Sequence, residues 1–305
     1  MATFARPSFS AKAYAAFRPT YPASLFRTVL DFHRLPLTTT TKNETTLLDL
    51  GCGHGLIARA LSPHFSRVLA LDPSANMTKQ ATRMTKETNV TFHEGRAEDL
   101  QPFLGGQSVD MAVAGQAAHW FDYSAVWREL ARVMKPGGTI AFWGYVDGIL
   151  TGAEKATAVM DKFIYGFGEV APGVEGMGPY WEQPGRNILR GLLRSVEVPG
   201  DDWKDVTRFT HNPGEPDGED VAWLKKKMTL GEIEAYSRTY SCYSGWKDAH
   251  PEMKSRADGG DGDVVDFMWD QMVESTPEWK AMGEQWREAE IMFDWGTYLI
   301  MARRK

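Results

Sequence analysis

The chain has 305 residues, 43% of them hydrophobic, and a formal net charge of −6. That length suits one large core or one core with an insertion. The acidic balance, without a basic block, excludes the electrostatic footprint of a nucleic-acid binder, and two cysteines, Cys52 and Cys242, exclude a disulfide framework. No apolar run approaches the ~18–20 residues that span a bilayer, and residues 1–7 lack the apolar core of a signal peptide, so a cytoplasmic protein without a membrane partner is expected. Most of the 11 tryptophans follow residue 119, which suggests a flat-walled pocket for an organic molecule in the second half.

Residues 9–35 read as two short helices broken by Arg18-Pro19-Thr20-Tyr21-Pro22. Pro22 suits the first turn of the second helix, and Leu25, Phe26, Val29 and Leu30 give it an apolar face. Arg18 and Tyr21 are polar groups in a rigid corner. Residues 37–46 are a low-complexity loop. An apolar run with strand character follows, Leu47-Leu48-Asp49-Leu50. It meets Gly51-Cys52-Gly53-His54-Gly55, and a helical pattern from Leu56 to Leu61 begins at once. Glycines here let the backbone turn sharply and approach a ligand where a Cβ would collide. The helix behind them presents unpaired N–H groups. Such a loop fits a nucleotide-type cofactor. A dinucleotide fingerprint needs its third glycine where Leu56 stands, so Gly55 comes one position early and a nicotinamide cofactor is disfavoured. Cys52 reads as a small packing residue.

Pro63 stops the helix, and Arg67–Asp72 is a buried strand ending in an acid. Asp72 lies one helix and one strand beyond Gly55, where an acid can accept both ribose hydroxyls. The competing role is a helix N-cap, for which Ser74 is the rival. Ser74–Met84 reads as a helix and Val90–Gly95 as a third strand. In the following Arg96–Leu100, Glu98 or Asp99 could accept the exocyclic amine of adenine, with the Ala97 backbone beside it; a solvated acid is the alternative. Val109–Ala114 is a fourth strand running into Gly115–Asp122. Tyr123–Met134 is helical, Lys135–Gly138 a strong turn, and Thr139–Tyr145 a fifth strand. Alternating strands and helices to about residue 145 predict a parallel doubly wound sheet. Ligands bind off the carboxyl ends of such strands. Asp49–Gly55, Asp72, Ala97–Asp99, Gln116–Trp120 and Trp143–Tyr145 all fall there.

Residues 166–186 are too rich in glycine and proline for a regular element. A loop of that length predicts a functional lid or disorder, and Tyr180, Trp181 and Arg186 favour a lid. Residues 205–210 read as a strand, 211–220 as a loop and 221–239 as a helix. Tyr240-Ser241-Cys242-Tyr243-Ser244-Gly245-Trp246 gathers hydroxyls and aromatics. Residues 257–263 form an acidic turn without the bidentate glutamate of a calcium loop, so no metal site is expected. Val264–Val273 is a helix and Trp295–Ala302 a late strand.

The G-x-G-x-G loop preceded by Asp49 resembles motif I of the class I S-adenosylmethionine (SAM)-dependent methyltransferases. The resemblance covers about residues 45–146, with the last strand near 293–303. More narrowly, Phe9–Pro22, Gln116-Ala117-Ala118-His119-Trp120-Phe121-Asp122 and Tyr240–Trp246 resemble the trans-aconitate methyltransferase family and its fungal-type relatives. The resemblance implies an α/β, Rossmann-like, doubly wound seven-stranded sheet with one antiparallel strand, plus a helical and loop cap. The expected division is an N-terminal helical cap (1–36), a SAM-binding core (45–146), a cap and substrate region with late core elements (147–290) and a last core strand (291–305). SAM is implied as methyl donor, leaving S-adenosyl-L-homocysteine, and a small carboxylic acid as acceptor, giving a methyl ester. Asp49, Gly51, Gly53, Gly55, Asp72, Ala97, Glu98, Asp99 and Gln116 are expected at the cofactor.

A carboxylate acceptor needs positioning beside a cationic donor, which arginine and hydroxyl groups can supply. Arg18, Tyr21, Tyr240, Ser241 and Ser244 are candidates, with Trp120, Trp143 and Trp181 as walls and Arg186 as a clamp for a second carboxylate. His119 either orients its neighbours or acts as the base of an ether-forming O-methyltransferase on a phenol or alcohol. A reading of another class is a SAM-binding scaffold without catalysis.

Overall fold

The computed structural model describes residues 19–34, 45–214 and 223–305. Arg18, the first expected helix and most of the low-complexity stretch lie outside the described residues. Two compact units are present. One comprises Tyr21–Val146, Asn187–Leu224 and Gly296–Lys305, and the other includes Asp147–Arg186 and Lys225–Trp295.

The first unit begins with α1 (Ala23–Arg34), whose Leu25, Val29 and Leu30 are buried. His33 Nδ1 lies 3.1 Å from the Thr139 hydroxyl. Strand β1 (Thr46–Leu50) is buried at every residue, as expected of a parallel strand covered on both faces. The chain then forms α2 (Leu56–Leu61), β2 (Arg67–Asp72), α3 (Ala75–Met84), β3 (Val90–Glu94) and β4 (Val109–Gly115). Helix α4 (Tyr123–Val133) is capped by Asp122, whose carboxylate accepts from the Ser124 and Ala125 N–H groups. It buries Val126, Trp127, Leu130 and Val133. The next strand, β5, is longer than expected, running Met134–Leu150. The predicted Lys-Pro-Gly-Gly turn is a bulge inside it. Pairing with β4 jumps from Val109 opposite Met134 to Met111 opposite Thr139, and Gly137 takes φ +79°. A bulge absorbs extra residues without ending a strand.

In the second unit, residues 166–186 are structured, contrary to the lid or disorder expected. After α5 (Glu154–Tyr165) come a small hairpin, β6 (Glu169–Ala171) and β7 (Val174–Glu175), a 3₁₀ turn at Gly178–Tyr180 and the start of α6 (Gly185–Arg190). The glycines permit this fold by close approach. A Cβ on Gly176 would stand 2.4 Å from the Gly166 carbonyl oxygen, and one on Gly178 would stand 2.5 Å from that of Tyr165. The first unit resumes with β8 (Trp203–His211). The helix expected over 221–239 is corrected in the second unit. Residues Lys225–Thr229 form β9, and only Leu230–Ser237 form a helix, α7, started by a Thr229–Glu232 capping box. The Tyr240–Trp246 cluster opens α8 (Ser241–Ala249), and α9 spans Val264–Glu274.

The last strand, β10, runs Glu290–Arg304. The main path of the sheet is β3-β2-β1-β4-β5-β10-β8, seven strands, and β9 pairs with β10 to make the sheet eight-stranded. Strands β1 to β5 pair in parallel. Strand β10 is antiparallel to β8 and to β9. The fold is a Rossmann-like α/β sheet, as the resemblance implied. The order reverses between β1 and β4, which opens a crevice at their carboxyl ends.

The core of the first unit packs Phe142, 0% exposed, between Phe121 and Trp127, at ring distances of 5.8 Å each. Phe142→Ala is expected to cost about 3–5 kcal/mol in urea unfolding, whereas Phe167→Ala at an 80% exposed position should stay within ~0.5 kcal/mol.

Candidate functional site

All three loop glycines take left-handed backbone, with φ +69° at Gly51, +53° at Gly53 and +83° at Gly55. Their surroundings differ. A Cβ on Gly51 would lie 2.4 Å from the Ala117 Cβ, and one on Gly55 would lie 2.7 Å from the Phe92 ring. One on Gly53 would meet nothing within 4 Å, so there the loop faces open space. The first glycine therefore lets the loop after β1 lie directly on the segment after β4. Gly51 and Cys52 donate to the Leu71 carbonyl at 2.8 and 3.0 Å, which ties the loop to β2.

Asp72 completes that tie. Its carboxylate accepts from the Gly53 N–H at 2.9 Å and from the Ser74 N–H at 2.8 Å. The cap of α3 is Ser74, whose hydroxyl accepts from Met77. Asp72 is thus released from capping. Burial raises its pKa, and the two N–H groups oppose that rise. Asp49 lies beneath the loop, 0% exposed. Among the described residues, neither of its oxygens has a well-aligned hydrogen-bond donor. Burial pushes its pKa up to about 7, partly offset by the Ala58 N–H and reinforced by Asp72. Burial, then Asp49 and Asp72, also push the Cys52 thiol well above its usual range. Cys52 is a buried thiol and no nucleophile. The sequence reading passed over His54. Its Nδ1 is buried without a partner, and burial together with Arg59 lowers its pKa; its place between two loop glycines was the available signal.

At the end of β3, Ala97 is buried. Glu98 accepts from the Asp122 N–H at 3.0 Å and pairs with Arg96 at 3.4 Å, so it closes the turn into α4. Asp99 is exposed. Gln116 takes φ +56°. Its side-chain amide donates to the Tyr145 carbonyl and accepts from the Tyr145 N–H, both at 2.8 Å. Both polar atoms of this side chain thus clamp β5.

The acceptor candidates fall in two groups, one in each unit. In the first unit, Tyr21 and Phe26 meet the buried Trp143 edge-on, at 5.8 and 6.1 Å. His119 and Trp120 occupy a 3₁₀ turn after β4. His119 is 6% exposed and Trp120 39%, with ring centres 4.8 Å apart. In the second unit, Arg186 stacks 3.8 Å above Trp181 and forms close hydrogen bonds to Asp147 and the Tyr165 hydroxyl. Burial alone would lower the Arg186 pKa, but Asp147 and Tyr165 hold it above its ordinary value. Its charge is compensated within the protein, so the expected clamp on a second carboxylate is corrected to a buried ion pair with Asp147. Tyr240 packs 6.2 Å from Trp181. Ser241 and Ser244 lie half-buried in the first turn of α8.

The loop and its acids fit SAM. Gly53 opens to free space, Asp72 keeps lone pairs for a ribose diol beyond its two N–H bonds, and no pyrophosphate site is needed. Comparison with known proteins agrees. Residues 48–142 match the family described as a methyltransferase domain. The chain is 26% identical to a probable SAM-dependent methyltransferase of Saccharomyces cerevisiae, over 84% of this chain and 87% of the yeast protein. It is 25% identical to a putative methyltransferase of Dictyostelium discoideum, over 84% and 88% of the two chains. A solved structure of a putative type II methyltransferase from Anaeromyxobacter dehalogenans shares the fold, with a TM-score of 0.63, 24% identity and coverage of 94% and 98%. Residues 48–142 thus form a methyltransferase domain, and the chain is a SAM-dependent methyltransferase. Among the described residues no helix is long and apolar enough to cross a membrane, and no group of three or more side chains could hold a metal ion.

A prediction follows from Asp49. A carboxyl held near pH 7 by the fold but near ~4 in the unfolded chain keeps a proton that unfolding releases between those values. Stability of the ligand-free protein should therefore fall as pH rises from about 4 to about 7 and level off above. Asp49→Asn should remove most of that slope, by up to ~4 kcal/mol, in urea unfolding followed across pH. Asp72, raised in the same direction, leaves a residual slope.

Proposed function

We propose that this enzyme transfers a methyl group to a carboxylate of a small di- or tricarboxylic acid, in the manner of the trans-aconitate methyltransferases. The observation that favours this reading is the state of His119. The one candidate base after β4 is buried, while the apolar Trp120 beside it is exposed. A carboxylic acid, with a reference pKa near ~4, is ionised at neutral pH and needs no base. When bound, SAM supplies a sulfonium methyl, which an acceptor oxygen takes as the methyl–sulfur bond breaks, leaving S-adenosyl-L-homocysteine.

The chain's own work is positioning, which can lower a barrier by roughly 7–11 kcal/mol. In this reading Asp72 accepts the ribose hydroxyls. The Ala97 backbone with Asp99 borders the adenine, and Glu98 fixes that turn from behind. The open face of Gly53 admits the amino-acid part. Tyr21 and the Trp143 indole border the acceptor, and Trp120 walls it. Tyr240, Ser241, Ser244 and Trp181 belong to the second unit, and their assignment to the acceptor rests on the sequence resemblance. Among the acceptor candidates Arg18 lies outside the described residues, and its family-like corner carries it only as far as sequence does.

The second reading, a phenol or alcohol methylated with His119 as base, is separated by the product. With methyl-labelled SAM, trans-aconitate should give a product that releases methanol in mild alkali; turnover of a phenol such as catechol to an alkali-stable product, with no product from trans-aconitate, identifies an ether and overturns the ester. For the cofactor, Asp72→Ala should weaken SAM binding about 100-fold in calorimetry, the scale of two hydrogen bonds to a charged group. Loss of less than twofold would remove Asp72 from the ribose.

A further inference from the structure

Asp49 is a buried ionisable group to which positioning of the cofactor gives no work. Strand register sets it between Ala70 of β2 and Val113 of β4, both fully buried. Helix α2 approaches with the Ala58 N–H and buries Ile57 and Ala58. Asp72 stands two residues beyond Ala70 on β2, so both acids project from one face of the sheet. The other ionisable groups of this corner are Cys52, His54 and Arg59. Arg59 is turned elsewhere: its Nη1 donates to the His54 carbonyl at 2.7 Å and to the Thr85 hydroxyl at 3.2 Å.

The two acids differ in what surrounds them. Asp72 accepts from the Gly53 and Ser74 N–H groups, which favour its ionised form. Asp49 has no well-aligned donor among the described residues and no water around it, and a buried carboxyl so placed keeps its proton. Two carboxyls on one face also resist ionising together. In the ligand-free loop Asp72 therefore carries the charge and Asp49 the proton, two roles set by two environments. Burial, which pushes Asp49 up to about 7, acts in the same sense. His54, lowered by burial and Arg59, and Cys52, raised by burial, are both held toward their neutral forms. Asp49 is thus poised to change charge between pH 6 and pH 7.

We propose that Asp49 makes the loop prefer the positively charged methyl donor to its product, by giving its proton to solvent when SAM binds and taking one back when S-adenosyl-L-homocysteine remains. The balance is one proton. The Asp49 O–H bond breaks as the site fills, the proton passes to buffer, and the bond re-forms once methyl transfer has removed the sulfonium charge. Asp49 needs no contact with the donor, because attraction between charges crosses a loop that holds little water to screen it. It is a specificity-determining residue for the donor, whatever the acceptor, so the inference stands apart from the carboxylate reading.

The test is calorimetry on the full chain with SAM and, separately, with S-adenosyl-L-homocysteine, without acceptor. Titrations at pH 6 in buffers of different ionisation enthalpy count the protons exchanged. SAM should release about one proton from the wild type, and S-adenosyl-L-homocysteine less than about half as much. A proton lost on binding makes binding tighter as pH rises. SAM affinity should therefore increase about 5-fold from pH 6 to pH 7, as for a group that titrates near 7 when the site is empty, and level off above. Asp49→Asn, near in shape and neutral throughout, should release no proton and lose that rise. Its preference for SAM over product at pH 8 should be about 10-fold smaller than the wild type's. Equal proton release by the two ligands would make the trigger a group common to both, and would overturn the proposal. So would no release with SAM, or a release that persists in Asp49→Asn. The comparison of the two ligands on the wild type decides by itself should the variant fail to fold. None of these outcomes bears on the acceptor, which the alkali test decides.

Discussion

The Asp72 carboxylate is the constraint on which the site depends. One oxygen accepts from Gly53 and the other from Ser74, so a single side chain at the end of β2 fixes the loop after β1 and the entry to α3. Gly53 sits at φ +53°, a conformation that strains any residue with a Cβ. Removing the acid would leave a glycine N–H without its partner and a loop without its anchor. The same burial that makes the hydrogen bonds strong also raises the acid's pKa. Low dielectric strengthens both effects together.

Around this anchor lie polar groups without a well-aligned partner among the described residues. Asp49 is buried beneath the loop, and Trp143 Nε1, Thr297 Oγ1 and the Tyr298 hydroxyl are buried in β5 and β10. By contrast, the second unit neutralises its buried charges internally, Arg186 with Asp147 and Arg238 with Asp263 and Asp266. Breaking such a buried pair by removing one partner is strongly destabilising. Pairing is not confined to that unit, since Lys135 pairs with the buried Asp110 in the first, and Arg186 Nε and Trp269 Nε1 of the second are themselves buried without a hydrogen-bond partner among the described residues.

The sheet was legible wherever short apolar runs ended in glycine or an acid. Strands β1 to β4 fell within a residue or two of expectation; in β1, β2 and β4 near-complete burial leaves a continuous apolar signature, whereas β3 is half-buried or exposed along its length. The glycine loop was legible because residues with a Cβ rarely adopt the positive φ that Gly51, Gly53 and Gly55 take. The errors had definite physical causes. Residues 225–229 are rich in lysine and read as a helix, yet pairing with β10 makes them a strand; tertiary pairing overrides local propensity. The glycines of 166–186 read as disorder, whereas several of them sit where any Cβ would strike backbone. Arg186 was read as a clamp for an acceptor carboxylate and Gln116 as a cofactor contact. Their partners, Asp147 and the Tyr145 backbone, could not be read from spacing. Nor could the placing of Asp49 and Asp72 on one face of the sheet, which follows from strand order and register.

That strand order governs how the sheet can be assembled. Strand β10 lies between β5 and β8, although β8 is made well before it. Until residues 290–304 exist, β8 has no neighbour on the main path, and the edge of β5 lacks its cover. An exposed strand edge is a template for pairing with other chains. Synthesis thus passes through an interval in which the parallel core is nearly complete and open along one side. The contacts that close it span much of the chain, and long-range closure is slow. The last strand to be made is therefore the one that covers the edges of both β5 and β8.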